Sequence, residues 1–441
     1  MAYVERKAEL AASENAFKRE VEKFGLLFEK EESQFRRLRS EAASSAGARC
    51  ENGGASLVRG WLSPACVACR KGERSTTFFI SLQCTRSCYF CFNPNQEDYA
   101  YHCLHCRDIA EELRRAHREG KEFAYLAVTG GEPCLHPEEL CAFVAVAKDL
   151  YSNAHVRIYT SGDRLTDDLM NELSCLGLDE IRFSVKPEES PEALEELLGL
   201  IRRAVACFPA VMVEMPVIPG SLEDMKALLA SLDAIGVKGI NLLEFCFPLH
   251  NGEEFSRRGF YLRARPYEIL YNYWYAGGLA VAGSEAEALQ LLRFAHDEQL
   301  KLGVHYCSLD NKHTGQIYQQ NKILLREPVA QMFPWLSLER DGYFARCAKV
   351  FDDDVWRVRE ILHALRESSA IEVSGSNDVS GWCYLNEAAD MLSFPLRWAE
   401  MVHQRDGSIE IAESFNVLEP ADDGVAVREV ELRRFRVNCG L

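Results

Sequence analysis

Three cysteines stand within eight residues in Cys84-Thr-Arg-Ser-Cys88-Tyr-Phe90-Cys91. Thiolates at this spacing can hold three irons of a cubane iron-sulfur cluster, whose full complement is four cysteines. The fourth iron then lacks a protein ligand, and an open metal position separates a site of chemistry from one that only carries electrons. The same trio could instead belong to a zinc site. Further along stand Gly130-Gly131-Glu132-Pro133. Glycines let backbone pass close to a ligand, and a carboxylate beside them can accept from an ammonium group. A plain strand-to-helix turn would use the same residues.

Other cysteines offer a second site. Cys66 and Cys69 form a Cys-x-x-Cys, which is half a metal site or else a redox or packing pair. Cys103 and Cys106 would complete a four-cysteine zinc or iron-sulfur site, or be bystanders at a helix start. Cys307 in Val304-His305-Tyr306-Cys307 would instead tie the N-terminal flank to a later segment. Metal ligation is therefore expected of Cys84, Cys88 and Cys91, and of Cys66, Cys69 and Cys307 in a second iron-sulfur or zinc site.

Apolar, β-branched runs begin at Thr76, Phe123, Val156, Ile181, Val211 and Ile240, separated by helical segments. Alternation of this kind predicts a parallel sheet with crossover helices, in which chemistry gathers at the carboxyl ends of the strands. Thr160, Ser161 and Ser184 fall just past strands, as hydroxyls for a ligand or as ordinary turn residues. Glu214 and Glu244 could face a substrate or serve as ion-pair partners.

The cysteine loop with an aromatic before its last cysteine, joined to Gly130-Gly131-Glu132-Pro133, resembles the radical S-adenosylmethionine superfamily over roughly residues 60 to 245. Val217-Ile218-Pro219-Gly220 is similar to the glycyl-radical-enzyme activating enzymes. The resemblance implies an α/β fold with a partial (βα)6 TIM-type barrel, a [4Fe-4S] cluster on Cys84, Cys88 and Cys91, and S-adenosylmethionine on its open iron. Phe90 would pack on the adenine and Gly130, Gly131, Glu132 and Pro133 would hold the amino end. Thr160, Ser161, Ser184, Val217 and Ile218 would be further cofactor contacts. Lys186 departs from the acidic residue many relatives carry there. The implied activity is reductive cleavage to a 5'-deoxyadenosyl radical that abstracts hydrogen from a peptide or small-molecule substrate, with a flavodoxin or ferredoxin-type electron donor. Two alternatives are an activating enzyme that installs a radical on a partner protein and a non-catalytic iron-sulfur or zinc protein.

The chain has 441 residues and a net charge of -17, which disfavours nucleic acid and anionic membranes as partners. Seventeen cysteines without an apparent signal peptide or long apolar segment imply a reducing, cytoplasmic setting. An oxidoreductase with an exposed cluster also suggests anaerobic conditions. Residues 3 to 44 read as one charged helix packed on the barrel or docking a partner. The expected division is 1–56 for this helix and linker, 57–250 for the barrel, 251–337 for a helical extension and 338–441 for a small α+β domain. Ser284 is read as a helix cap, and Gln316 to Asn321 as substrate-binding or solvated amides. In the last domain strands are expected at 343–350, 371–374, 396–404, 409–416 and 425–437, with a helix at 352–366 and a recognition or lid role.

Overall fold

The computed structural model describes residues 3–30, 35–186, 190–269, 278–338, 342–371, 382–422 and 424–436. Two compact units divide the chain: Val21–Glu268 with Tyr273–His313, and Met1–Glu20 with Ile269–Asn272 and Thr314–Leu441. The expected single N-terminal helix is two helices, α1 (Tyr3–Glu22) and α2 (Phe35–Ser45). Gly25 breaks the run at φ 94°, and a side chain on Gly252 would meet the Phe24 carbonyl at 1.8 Å. The two helices pack differently. Tyr3 and Leu10 of α1 pack on Phe351, Ala412 and Leu432 of its own unit, while Ala43 and Ala46 of α2 join the barrel core. The barrel-packing expectation therefore holds for α2.

In the larger unit the chain continues through β1 (Arg49–Glu51), β2 (Ser56–Arg59), α3 (Pro64–Cys69), β3 (Ser75–Phe79), α4 (Tyr99–Leu104), α5 (Ile109–Arg118) and β4 (Tyr125–Thr129). Alternation follows with α6 (Pro137–Leu150), β5 (His155–Thr160), α7 (Asp167–Cys175), β6 (Glu180–Phe183), α8 (Pro191–Cys207), β7 (Ala210–Val217), α9 (Leu222–Ile235) and β8 (Gly239–Glu244). Beyond these lie β9 (Cys246–Phe247), α10 (Gly252–Arg257), β10 (Leu279–Ala280), α11 (Ser284–Asp297) and β11 (Gly303–Cys307), and most of the next helix, α12 (Leu309–Leu324), falls in the smaller unit.

The six strands β3 to β8 lie side by side in chain order and all parallel, the winding of a partial TIM-type barrel. β11 adds a seventh parallel strand beside β8, and the antiparallel hairpin β1-β2 extends that edge. Ser284 does not cap α11 with its side chain, because its Oγ accepts from Phe245 N at 2.8 Å.

Side-chain alternation divides the sheet into two faces. Val156, Ile158, Ile181, Val213, Leu242 and Val304 pack in the main apolar core with the crossover helices. The opposite face carries Arg157, Tyr159, Glu180, Arg182, Glu214, Asn241, His305 and Cys307. A polar inner face of this kind is costly unless its groups are mutually satisfied.

In the smaller unit, α13 (Val329–Met332), β12 (Ala345–Phe351), α14 (Asp354–Glu367), β13 (Tyr384–Leu385), β14 (Met391–Phe394), α15 (Ala399–Arg405), β15 (Ala412–Ala421) and β16 (Gly424–Arg434) complete the chain. The antiparallel sheet has the order β13-β14-β12-β15-β16. Val355, Val358, Leu362 and Leu365 put one apolar stripe of α14 into its core. The strand expected at 396–404 is instead a 3-10 turn running into α15. Its buried Trp398, Ala399 and Val402 fall three and four apart, so the period is helical. The expectation at 371–374 lies outside the described residues except for Ile371. Asn321 and Gln320 tie backbone together: Asn321 donates to Tyr343 O and accepts from Leu418 N, and Gln320 donates to Leu418 O.

Candidate active site

The chain leaves β3 through Ile80 to Gln83 and enters the cysteine loop beside the glycine turn that follows β4. Gly131 N donates to Ser81 O at 3.0 Å, and Glu132 N donates to Gln83 O at 2.8 Å. A Cβ on Gly130 would meet Phe79 Cβ at 2.5 Å, and one on Gly131 would meet Gln83 O at 1.8 Å. The approach of the chain to its own cysteine loop thus requires glycine at both positions.

Glu132 is 2% exposed. Its Oε1 accepts from Cys134 N at 3.0 Å and Thr160 Oγ1 at 2.7 Å, and its Oε2 accepts from Ser161 N at 2.7 Å and Ser161 Oγ at 2.6 Å. Those four donors fill the acceptor sites of a carboxylate. Glu132, Thr160 and Ser161 therefore form a buried brace between the ends of β4 and β5. Pro133 opens the 3-10 turn Pro133–Leu135 after it.

Several groups outside the motif hold the loop. Asp163 accepts from Thr85 Oγ1 at 2.6 Å and from Arg86 Nε at 2.9 Å. His250 Nε2 lies 2.7 Å from Cys91 O, and Asn251 Nδ2 donates to Tyr89 O at 3.0 Å. Sequence reasoning missed this whole clamp, because its members are scattered and form no motif. Phe90 packs edge-on against Tyr89 and Phe245, with centroids at 5.0 and 5.6 Å. Burial raises the Cys91 thiol above its ordinary range and Cys88 and Cys84 add to the rise, while Asn93 N–H and Lys186 oppose it. Arg86 feels Cys88 and Cys84 in turn. The three thiols and two cations share one electrostatic neighbourhood, a donor set that fits a three-cysteine cubane with an open iron.

Ser184 is half-buried at the end of β6, its N–H donating to Thr160 O at 2.9 Å. Val217 is fully buried in the helix-facing core, and Ile218 is buried just beyond the strand. By alternation the neighbour that faces inward is Pro216.

Below the strand ends the inner face holds Cys66. Asn241 Nδ2 and Arg182 Nη2 donate to its Sγ at 3.3 and 3.4 Å. Arg182 also donates to Glu180 Oε1 at 2.5 Å and Glu214 Oε2 at 2.6 Å, and Ser63 Oγ donates to Glu180 Oε2 at 2.6 Å. Burial opposes the charge of Glu180, but His155, Arg182 and Ser63 hold its carboxyl down at about 2. His305 sits between Ser56 Oγ and Asn241 Oδ1 at 2.7 and 2.8 Å, and burial pushes it down to about 3. Glu214 and Glu244 are thus ion-pair partners, the latter accepting from Arg263 Nη1 at 2.7 Å.

Cys69 lies one helical turn from Cys66 on α3 and retains accessible surface, yet burial raises its thiol, with Cys66 adding to the rise. Cys307 shares the inward face of β11 with His305. Burial pushes its thiol up to about 12, with Cys69 and Cys66 contributing. Arg157 is 5% exposed, and among the described residues its Nη1 has no hydrogen-bond partner. Cys307 thus feels the charge of the Cys66-Cys69 pair. Cys103 lies instead beside Tyr99, and Cys106 lies beside His136. The four-cysteine set of Cys66, Cys69, Cys103 and Cys106 is not assembled.

Residues 79–232 match the family described as the Radical SAM superfamily. A protein of Methanocaldococcus jannaschii, named provisionally as a glycyl-radical enzyme activating enzyme, is 27% identical over 321 residues, spanning 68% of this chain and 77% of its own. Among solved structures, Streptococcus suis SuiB bound to the precursor peptide SuiA is 15% identical, with a TM-score of 0.33 over 38% of each chain. Escherichia coli coproporphyrinogen III oxidase (HemN) is 14% identical, with a TM-score of 0.35 over 64% of each. The chain thus spans less than two thirds of either solved protein. The family match lies across the cysteine loop and the glycine turn just described, so this part of the chain is similar to the radical SAM superfamily.

Proposed function

We propose that Cys84, Cys88 and Cys91 hold a [4Fe-4S] cluster whose open iron takes S-adenosylmethionine, and that the substrate is a peptide or protein segment from which a hydrogen atom is removed. The observation that carries this reading is the convergence of three thiols at the end of β3 with the Gly130–Glu132 turn hydrogen-bonded to the same loop. When bound, this pair supplies one-electron cleavage of the cofactor to a 5'-deoxyadenosyl radical. The chain supplies position: the Glu132 brace fixes the ends of β4 and β5, and Phe90 offers an aromatic wall. The polar inner face orients substrate and restricts water. Backbone of Gly130 and Gly131 and the half-buried Ser184 are the candidate polar contacts, with Ile218 as an apolar one. A flavodoxin or ferredoxin-type protein is the proposed electron donor.

A second reading, an activase that installs a radical on a partner protein, is favoured by the name of the Methanocaldococcus relative. A glycyl radical signal on a partner after incubation would select it over turnover of a free peptide.

The finer proposal is a second iron-sulfur cluster inside the sheet on Cys66, Cys69 and Cys307, with the unpartnered Arg157 Nη1 facing its negative charge. The test is anaerobic reconstitution of the wild type and of the Cys84→Ala/Cys88→Ala/Cys91→Ala variant, followed by reduction and S-adenosylmethionine. The expected variant retains iron but forms no 5'-deoxyadenosine. A variant without iron refutes the second cluster, and a wild type that leaves the cofactor intact refutes the catalytic assignment of the loop.

A further inference from the structure

Cys106 lies between α4 and α5, in a segment tied to the end of β3: Leu82 N donates to His102 O at 2.9 Å and Arg107 N to Ile80 O at 2.7 Å. His136 follows the glycine turn and caps α6, whose first turn presents Glu139 three residues on. The Cys106 thiol, a His136 ring nitrogen and a Glu139 carboxylate oxygen all lie within 4.8 Å of one another. We infer that Cys106, His136 and Glu139 form a zinc-binding site distinct from the cysteine loop, with water as fourth ligand.

Three features support zinc. First, thiolate, imidazole and carboxylate are its common ligands, and three protein ligands with an open position are a recurrent arrangement. Second, Cys106 Sγ is 3.4 Å from His136 Nδ1. Tetrahedral zinc, with Zn–S of about 2.3 Å and Zn–N of about 2.0–2.1 Å, places those atoms roughly 3.6 Å apart. Third, His136 Nε2 is 2.7 Å from Ser81 Oγ, which is buried and also accepts from Gln83 N at 3.3 Å. A proton on Nε2 donated to Ser81 leaves the Nδ1 lone pair free for a metal; Cys106 Sγ, also 3.9 Å from Nε2, lies to the side of that lone pair, and the exposed thiol turns to share the ion. Cys106 and Glu139 are exposed, so an ion can enter and keep a water ligand.

The site would latch the 102–107 segment to the turn that carries Gly130 to Pro133. Through Ser81 it reaches to within three residues of Cys84. It therefore acts as a positioning device for the cluster loop, and it does not depend on the proposed radical chemistry.

The test uses full-length reduced protein, freed of metal by chelation, carrying Cys84→Ala/Cys88→Ala/Cys91→Ala and Cys66→Ala/Cys69→Ala so that other thiol sites do not compete. Zinc is titrated against a chromophoric chelator, and cobalt(II) replaces it for absorption spectra. One equivalent of zinc and a thiolate-to-cobalt charge-transfer band are expected. Cys106→Ser should abolish the band, and Glu139→Gln should weaken zinc binding at least tenfold. A control in the otherwise wild-type chain compares zinc content with and without Cys106→Ser, where a loss of one equivalent is expected. Zinc binding that Cys106→Ser and Glu139→Gln leave unchanged, or no zinc in either background, overturns the site and leaves a thiol-imidazole contact only.

Discussion

Replacing Glu132 by glutamine keeps the shape of the buried brace and reverses the polarity of half of it. Each carboxylate oxygen accepts one backbone N–H and one hydroxyl, from Cys134 and Thr160 on one side and from Ser161 on the other. The glutamine NH2 must occupy one of these positions. There the hydroxyl can rotate to accept, but the backbone N–H cannot, so at least one buried donor is left unsatisfied at about 1–3 kcal/mol. The remaining bonds lose their charge assistance, a further 1 kcal/mol or so. A total near 3 kcal/mol corresponds to roughly a hundredfold rise in local opening. Hydrogen exchange followed by mass spectrometry on peptides spanning 129–136 and 158–164 should show that acceleration, with Ser161→Ala giving about a tenth of it because only one hydroxyl donor goes. Exchange in Glu132→Gln within threefold of wild type would show that the four bonds do not carry the brace, and the positioning role would fall with them.

Two other outcomes follow from the same geometry. Gly131→Ala places a Cβ where Gln83 O stands, at 1.8 Å, so the cysteine loop must shift; reconstituted protein should retain less iron, and undiminished iron with unchanged exchange at 81–84 would contradict this. His305 is held neutral, its folded pKa near 3 against an ordinary 6.5, so the unfolded chain binds more protons between those values and stability falls as pH drops from about 7. The loss by pH 5 is on the order of 2 kcal/mol, and His305→Gln should flatten the slope of melting temperature between pH 7.5 and 5. A slope equal to that of wild type would mean that His305 is not the titrating group.

The strand-helix alternation was legible because the strands are short and carry an apolar, mostly β-branched face, and the crossover helices are periodic, α5, α7 and α8 with Asp108, Thr166 and Ser190 as side-chain caps. β11 was harder to see, since Val304-His305-Tyr306-Cys307 alternates apolar with polar residues and reads as a motif before it reads as a strand. The polar members of that alternation face inward, against the usual bias. Arg157 and Arg182 were invisible for the same reason: a charged residue within a strand is ordinarily placed toward solvent. The cysteine loop itself was legible from spacing. His250, Asn251 and Asp163, which hold it in place, lie 77 to 162 residues away from their partners and leave no local signal.

That separation bears on how the protein is made. During synthesis Cys84, Cys88 and Cys91 emerge well before His250 and Asn251, whose contacts to the loop span 159 and 162 residues. At about 5–20 residues per second, the thiols wait roughly ten to thirty seconds without their final anchors. Throughout that interval they are open to oxidation and to stray metals. Delivery of iron before the chain has passed Asn251 would meet an unformed receptacle. The timing of cluster insertion, and the redox state of the nascent chain, would therefore set the yield of active molecules as much as the stability of the finished fold.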